Sequence, residues 1–379
     1  MPFSSLGLSP ELLRAIGDSK YPAPTPIQKD AIPAILKGKD VWACAQTGSG
    51  KTAAFALPLL QNLMTDRASP LRVRTLILVP TRELAAQVGE SIRFFAGYLR
   101  QPLKVIAVFG GVSINPQMMA LRGGADLVVA TPGRLLDLVD HNSLRLSDVT
   151  TLVLDEADRL LDLGFADELA SIIDRLPQRR QNLLFSATFP RTVRALAEQL
   201  LHDPIRIEVP AVTATEPAIL QRSIRVDPAR RTQLLRHLIN KHGWTQTLVF
   251  VATRYSTGHV AEKLRRAGIS AASLSGDLSQ GARTQALADF KAARVKVLIA
   301  TDVAARGIDI AQLPAVVNYD LPRSTTDYVH RIGRTGRAGE SGVAVSFVPT
   351  VVEDHFRLIE KRQGLRVPRE IIAGFEPSN

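Results

Sequence analysis

The chain has 379 residues, enough for two domains of ordinary size, and 45% of them are hydrophobic. No apolar run reaches the length of a membrane span, and the lone cysteine, Cys44, cannot form an internal disulfide. These features argue against a membrane-embedded, disulfide-stapled or disordered chain, and point to a folded protein of a reducing, cytoplasmic compartment with no leader segment. The formal charge of +11, with 36 of 47 basic residues arginine, favours polyanions such as RNA or DNA. A generally arginine-rich, solvated surface would give the same numbers.

In chain order, Ser9, Pro10 and Glu11 carry the N-cap, first-position proline and first-turn acid of a helix. Short apolar, β-branched runs then alternate with helix-period segments. Strands are predicted at 41–45, 75–79, 105–109, 127–130, 152–154 and 183–185, and again at 247–251, 297–300, 315–318 and 343–347. Such runs indicate parallel sheets covered on both faces, with ligands gathering at the carboxyl ends of the strands. The stretch 208–217 is aperiodic and contains Pro210 and Pro217, so it reads as a linker, with the boundary near 212. Residues from 366 onward are expected to wrap back or fray.

The chemistry sits where the predicted strands end. Ala45-Gln46-Thr47-Gly48-Ser49-Gly50-Lys51-Thr52 follows the first strand and opens a helix. This is a P-loop with alanine in place of its first glycine: backbone amides and Lys51 for phosphates, and Thr52 for Mg²⁺. Asp155 and Glu156 close another apolar strand. A buried Asp155 needs a cation to stay ionised, which Mg²⁺ supplies, and Glu156 is suited to orienting the attacking water. As an acidic helix cap the same run would explain Asp158 but not Asp155.

Asp155-Glu156-Ala157-Asp158 is the signature of the DEAD-box helicases of superfamily two, and the chain resembles that family over residues 3–350, with about ten motifs in order. The resemblance implies two tandem RecA-like α/β domains, each a parallel sheet flanked by helices, joined by a flexible linker. The implied boundaries are an ATP-binding domain over 1–207 with a Q motif in about 1–29, a linker over 208–217, a C-terminal helicase domain over 218–365, and an extension over 366–379. Tyr21 and Gln28 match the Q motif, which implies stacking on and hydrogen bonding to adenine, hence ATP. Ser186 and Thr188 match the coupling motif that hydrogen-bonds the Asp158 region, and His330 is implied to join that linkage. In the second domain, Arg334 and Arg337 match the arginine fingers, and Gly307 and Asp309 the ribose contacts.

Pro80, Thr81, Arg82, Gly110, Gly111, Thr131, Pro132, Gly133 and Arg134 of the first domain, with Arg254, Gly276 and Thr301 of the second, match the family's RNA track. Helix N-termini, glycines and arginines suit phosphates rather than bases, so sequence-independent binding of structured or duplex RNA is expected. Ser275 departs from the histidine that many members carry. The segment 279–283 and the ending 369–377 resemble the bacterial RhlE-type subgroup. The implied function is RNA-stimulated ATP hydrolysis with local, non-processive unwinding by a monomeric core. An ATP-gated RNA clamp or scaffold is the alternative, and a DNA translocase or a small-molecule kinase is more remote. Protein partners in ribosome assembly and in RNA decay are both compatible with the sequence.

Overall fold

A computed structural model describes residues 2–19, 21–45, 48–65, 72–209, 219–305, 310, 313–336 and 342–377. The expected site residues Gln46, Thr47, Gly307, Asp309 and Arg337, and positions 210–217 of the expected linker, lie outside them. The chain divides into two compact units, 1–211 and 212–379.

The first unit contains seven strands: β1 (Val41–Cys44), β2 (Thr75–Leu78), β3 (Val105–Val108), β4 (Leu127–Ala130), β5 (Thr151–Leu154), β6 (Gln181–Ser186) and β7 (Ile205–Glu208). They form one sheet in the order β3-β4-β2-β5-β6-β1-β7, with every pair parallel. Successive side chains on a strand point to opposite faces, so each central strand serves two cores. Ile77, Val129, Val153 and Leu183 pack on one side, with the helices Pro26–Leu36 and Lys51–Thr65. Leu76, Val128, Leu152 and Leu184 pack on the other.

The second unit repeats the arrangement with β8 (Leu220–Ile224), β9 (Thr247–Phe250), β10 (Ala271–Leu274), β11 (Val297–Ala300), β12 (Ala315–Asn318), β13 (Val343–Phe347) and β14 (Arg369–Glu370). Its order is β10-β11-β9-β12-β13-β8-β14, again all parallel. Renumbered from one, this is the strand order of the first sheet. The two halves therefore share one winding pattern, the tandem RecA-like architecture.

Two boundaries move. Glu208, expected in the linker, ends β7, where the backbone register pairs it with Cys44. The expected extension 366–379 is not separate: Arg369 and Glu370 pair with Ser223 and Ile224. Arg369 is fixed there by Glu353 and Glu360 and lies 4.6 Å from the Phe356 ring centre. The first helix, Pro10–Gly17, starts as expected, with the Ser9 hydroxyl accepting from Leu12 N. Cys44 is only partly buried, its Sγ lies 3.6 Å from the Ala187 carbonyl oxygen, and burial raises the thiol pKa.

Candidate nucleotide site and nucleic-acid interface

At the carboxyl end of β1 the chain leaves Ala45, turns through Gly48 and Gly50 at φ of 83° and 90°, and enters the helix at Lys51. Those left-handed angles suit glycine and leave amides at a helix N-terminus, the arrangement that receives phosphate. Ser49 is engaged within the protein. Lys51 is 7% exposed, and among the described residues its Nζ has no hydrogen-bond partner. A buried ammonium without an acceptor is costly in isolation, and a phosphate oxygen removes that cost. Thr52 is half-buried beside it.

Gln28 is fully buried at the start of Pro26–Leu36. Its Oε1 accepts from Thr25 N at 2.9 Å, and its Nε2 donates to the Gly50 carbonyl at 3.1 Å. The Q-motif amide is thus tied to the P-loop itself, a contact that sequence spacing does not reveal. Tyr21 stands edge-on to Phe3, with ring centres 6.5 Å apart.

β5 ends at Leu154 and delivers Asp155 and Glu156, 3% and 5% exposed, to the same end of the sheet. Burial pushes the Asp155 carboxyl up to about 6, with Lys51 pulling it down and Glu156 pushing it further up. Its Oδ1 accepts from Glu156 N at 3.0 Å. Glu156 takes a left-handed backbone, φ 52° and ψ 50°, unfavourable for a residue with a Cβ and characteristic of strained functional turns. Arg159 Nε stands 3.5 Å from Glu156 Oε2, outside hydrogen-bond geometry. Arg159 is a buried neighbour of the site that sequence reasoning missed, and its one signal is the three-residue spacing from Glu156.

These residues fit a magnesium–nucleotide complex. Thr52 and Asp155 would hold the ion, and the unpaired Lys51 would meet phosphate. Among the described residues no group of three or more His, Cys, Asp or Glu side chains forms a metal cage. Magnesium sites commonly use one or two protein oxygens and complete the shell with phosphates and water.

Asp158 connects this site to the end of β6. Thr188 donates to Asp158 Oδ2 from its backbone N at 3.0 Å and from Oγ1 at 2.8 Å. Asp158 N donates to Ser186 Oγ at 3.2 Å, and that hydroxyl donates to the Thr188 carbonyl at 2.7 Å. Asp158 and the Ser186–Thr188 turn, about thirty positions apart in sequence, form a closed hydrogen-bonded ring.

Along the same edge, Pro80 is buried and Thr81 caps the helix Arg82–Ala96, accepting from Leu84 N at 3.2 Å. Arg82 pairs with Glu83 at 3.2 Å, and its guanidinium lies against Gly111, where an added Cβ would sit 2.5 Å from Nη1. Thr131 precedes Pro132 and the helix Pro132–Asp140 as expected, but its hydroxyl accepts from Gly110 N at 3.3 Å rather than capping that helix. Gly133, in its first turn, has open space where a Cβ would be. Arg134 is 8% exposed and donates from Nη2 to the Val112 carbonyl at 2.8 Å, so it braces the 110–112 turn from beneath.

In the second unit, Arg254 is exposed, pairs with Asp277 at 3.0 Å and lies beside Gly276. Thr301 Oγ1 accepts from Ala304 N at 3.3 Å. His330 lies in the helix Thr325–Ile332, and Arg334 follows it, 6% exposed; both are engaged within the protein. Arg331, between them, was not singled out by the sequence. It forms a bidentate pair with Asp302 at 2.6 and 2.7 Å and donates to the Asn318 side chain and the Asp320 carbonyl. It is the buried tie between this helix and the segments after β11 and β12.

Comparison with known proteins agrees with this geometry. The DEAD/DEAH box helicase model matches residues 25–196, and the helicase conserved C-terminal domain matches residues 230–339. The chain is 45% identical over 359 residues to the ATP-dependent RNA helicase DeaD of Mycobacterium tuberculosis, and 43% over 366 residues to that of Escherichia coli K12. These alignments cover 95% and 97% of this chain but 63% and 58% of those relatives, so the chain spans about three fifths of their length. The DEAD-box ATP-dependent RNA helicase CshA of Bacillus cereus is 40% identical, with 97% and 69% covered. Among solved structures, Saccharomyces cerevisiae Dbp5 bound to RNA and ADP BeF3 superposes with a TM-score of 0.86 at 32% identity, over 98% of this chain and 95% of that one. With both matched regions in order on two RecA-like units and the Asp-Glu-Ala-Asp run at the mouth of the P-loop, this chain belongs to the DEAD/DEAH box helicase family.

Proposed function

We propose that the chain is an ATP-driven RNA-remodelling core that hydrolyses ATP when RNA is bound and opens short RNA duplexes locally, without reading sequence. The observation that carries this is Lys51, whose buried ammonium lacks an acceptor among the described residues at a glycine turn opening a helix, beside Asp155 and Glu156. Gln28 and Tyr21 select adenine, and the 45–52 turn with Lys51 holds the phosphates. Mg²⁺, held by Thr52 and Asp155, supplies charge neutralisation at the phosphate oxygens. Glu156 orients water and accepts its proton, Arg334 and Arg337 stabilise the charge that develops in the transition state, and Gly307 and Asp309 meet the ribose.

Asp158, Ser186, Thr188 and His330 carry the nucleotide state to the RNA track. Pro80, Thr81, Gly110, Gly111, Thr131, Pro132, Gly133, Arg254, Gly276 and Thr301 form that track with Arg82, and Arg134 acts from beneath by fixing the 110–112 turn. The functional division runs 1–209, 210–217 and from 218 onward, with Glu208 kept in the first sheet, and with cytoplasmic action on structured RNA and partners from ribosome assembly or RNA decay. The segments 279–283 and 369–377 support an RhlE-type assignment within the family.

Steady-state ATP turnover without nucleic acid, with single-stranded RNA and with matched DNA tests this reading. RNA-specific stimulation that Arg334→Ala abolishes, with ATP binding retained, is the expected result. Turnover indifferent to RNA would overturn it.

A further inference from the structure

The helix Arg254–Arg266 carries a feature that neither the nucleotide site nor the phosphate-facing residues use. Tyr255, in its first turn, is 78% exposed, although a tyrosine normally buries most of its ring. Four residues on, the exposed His259 lies against it, with ring centres 5.5 Å apart and planes 18° from parallel. One face of the tyrosine is backed by an imidazole and the other is open to solvent. Between them, three residues after Tyr255, is Gly258. An added Cβ there would meet nothing within 4 Å, and its φ is not positive, so neither packing nor backbone conformation requires glycine. Glycine inside an exposed helix costs about 1 kcal/mol against alanine. An unneeded glycine beside an unburied aromatic marks a surface kept flat and open rather than a stability feature.

The surroundings favour an anion-bearing ligand. Arg254 precedes Tyr255 and stands over Gly276, and Lys263 and Arg266 continue the exposed side of the helix, although Asp277 pairs with Arg254 at 3.0 Å and Glu262 with Arg266 at 2.6 Å. Aromatic rings next to phosphate-binding arginines are how proteins hold single-stranded nucleic acid, because every base has a stacking face.

We infer that Tyr255, backed by His259 and flanked by the bare backbone at Gly258, is a stacking platform for one unpaired RNA base next to the phosphate held by Arg254. It rests on the RNA-binding reading above. It adds a base contact to a track otherwise made of backbone contacts, and it favours substrates with a single-stranded stretch over blunt duplexes while remaining indifferent to base identity.

The test is equilibrium binding of single-stranded RNAs carrying 2-aminopurine at successive positions, in the presence of a non-hydrolysable ATP analogue. In the unsubstituted protein one position should be quenched. An abasic nucleotide placed there should weaken binding by about 5- to 150-fold, the range for one stacked base. Tyr255→Ala should remove the quench and lose the same factor on intact RNA but little on the abasic RNA, whereas Tyr255→Phe should retain both. RNA-free ATP turnover should be unchanged in either variant. RNA binding with no position quenched, or with Tyr255→Ala equal to the unsubstituted protein, would overturn the platform, as would equal weakening on intact and abasic RNA. Failure of the unsubstituted protein to bind any RNA would instead remove the underlying RNA reading, and the platform with it.

Discussion

Gln28 donates its amide hydrogen to the Gly50 carbonyl at 3.1 Å, so the side chain expected to read adenine also holds the turn that receives the phosphates. Gly50 has φ of 90°, and a Cβ there would fall 2.4 Å from Gln28 Nε2. The proposed adenine and phosphate sites therefore share one buried amide.

Gln28→Ala should weaken ATP binding, erase its margin over GTP, and cost about 1 kcal/mol of stability through the lost hydrogen bonds to Thr25 and Gly50. Gly50→Ala, which forces the same pair apart, should lose nucleotide binding. Competition titrations with ATP and GTP, alongside thermal melts, check both. Unchanged ATP over GTP preference in Gln28→Ala would confine Gln28 to a structural role.

Glu156→Gln keeps the shape and length of the side chain at the left-handed turn and removes its basicity. It should bind ATP and RNA normally and hydrolyse about 100-fold or more slowly, within the usual range for a lost general base. Single-turnover kinetics separate the steps, and near-normal chemistry would take Glu156 out of the reaction.

Thr188→Ala leaves Asp158 Oδ2 with the backbone donor alone. Loss of one such bond should cost about 1 kcal/mol. If the ring of Asp158, Ser186 and Thr188 couples hydrolysis to strand opening, duplex separation should fall well below the residual ATPase rate. Parallel loss of both activities would assign Thr188 to folding only.

Asp155→Asn should raise the melting temperature at pH 7 in EDTA. Burial lifts the Asp155 pKa from 3.8 to about 6, so at pH 7 the native state holds an ionised carboxylate that the unfolded chain hydrates more cheaply. Removing that charge should stabilise the metal-free protein by about 1–3 kcal/mol. Magnesium should stabilise the unsubstituted protein and not the variant. A lower melting temperature for Asp155→Asn in EDTA would contradict this account.

The second unit should weaken in acid. Hydrogen bonds from Arg369 hold the Glu360 carboxyl below its usual value of 4.5, and Arg222 does the same for Glu370. The stability from these depressed carboxyls is complete above their unfolded values and is lost as pH falls through the folded ones. Hydrogen-exchange protection factors in the second unit, corrected for the intrinsic rate at each pH, should therefore fall below about pH 4.5. Arg369→Gln should show weaker protection already at pH 7 and a flatter acid response.

Most of the ten strands read from sequence have apolar runs buried on both faces, such as Leu76–Leu78 and Val128–Ala130, whereas β1 alternates buried with half-buried positions. The four that were missed lack that signal. In β7 only Ile207 is buried, β8 interrupts its apolar ends with Gln221, Arg222 and Ser223, β10 is mostly alanine and serine, and β14 has two charged residues. The 45–52 turn and Asp155–Glu156 were legible because each follows a readable strand, and Gln28 and Arg334, which do not, were legible only as parts of motifs. The Gln28–Gly50 contact, the left-handed turn at Glu156 and the burial of Arg134 were not, since each depends on elements that only tertiary packing brings together.

The pairing of Arg369 and Glu370 with β8 bears on where this chain tolerates cutting. The amides and carbonyls along that side of β8 have their partners in the last dozen residues, so a fragment ending at 365 would leave a bare, hydrogen-bond-hungry rim on the second sheet. Such a fragment should self-associate through β8 even though every nucleotide and RNA motif is intact. Proteolytic clipping of the final segment would then turn the second unit into a seed for intermolecular strand pairing.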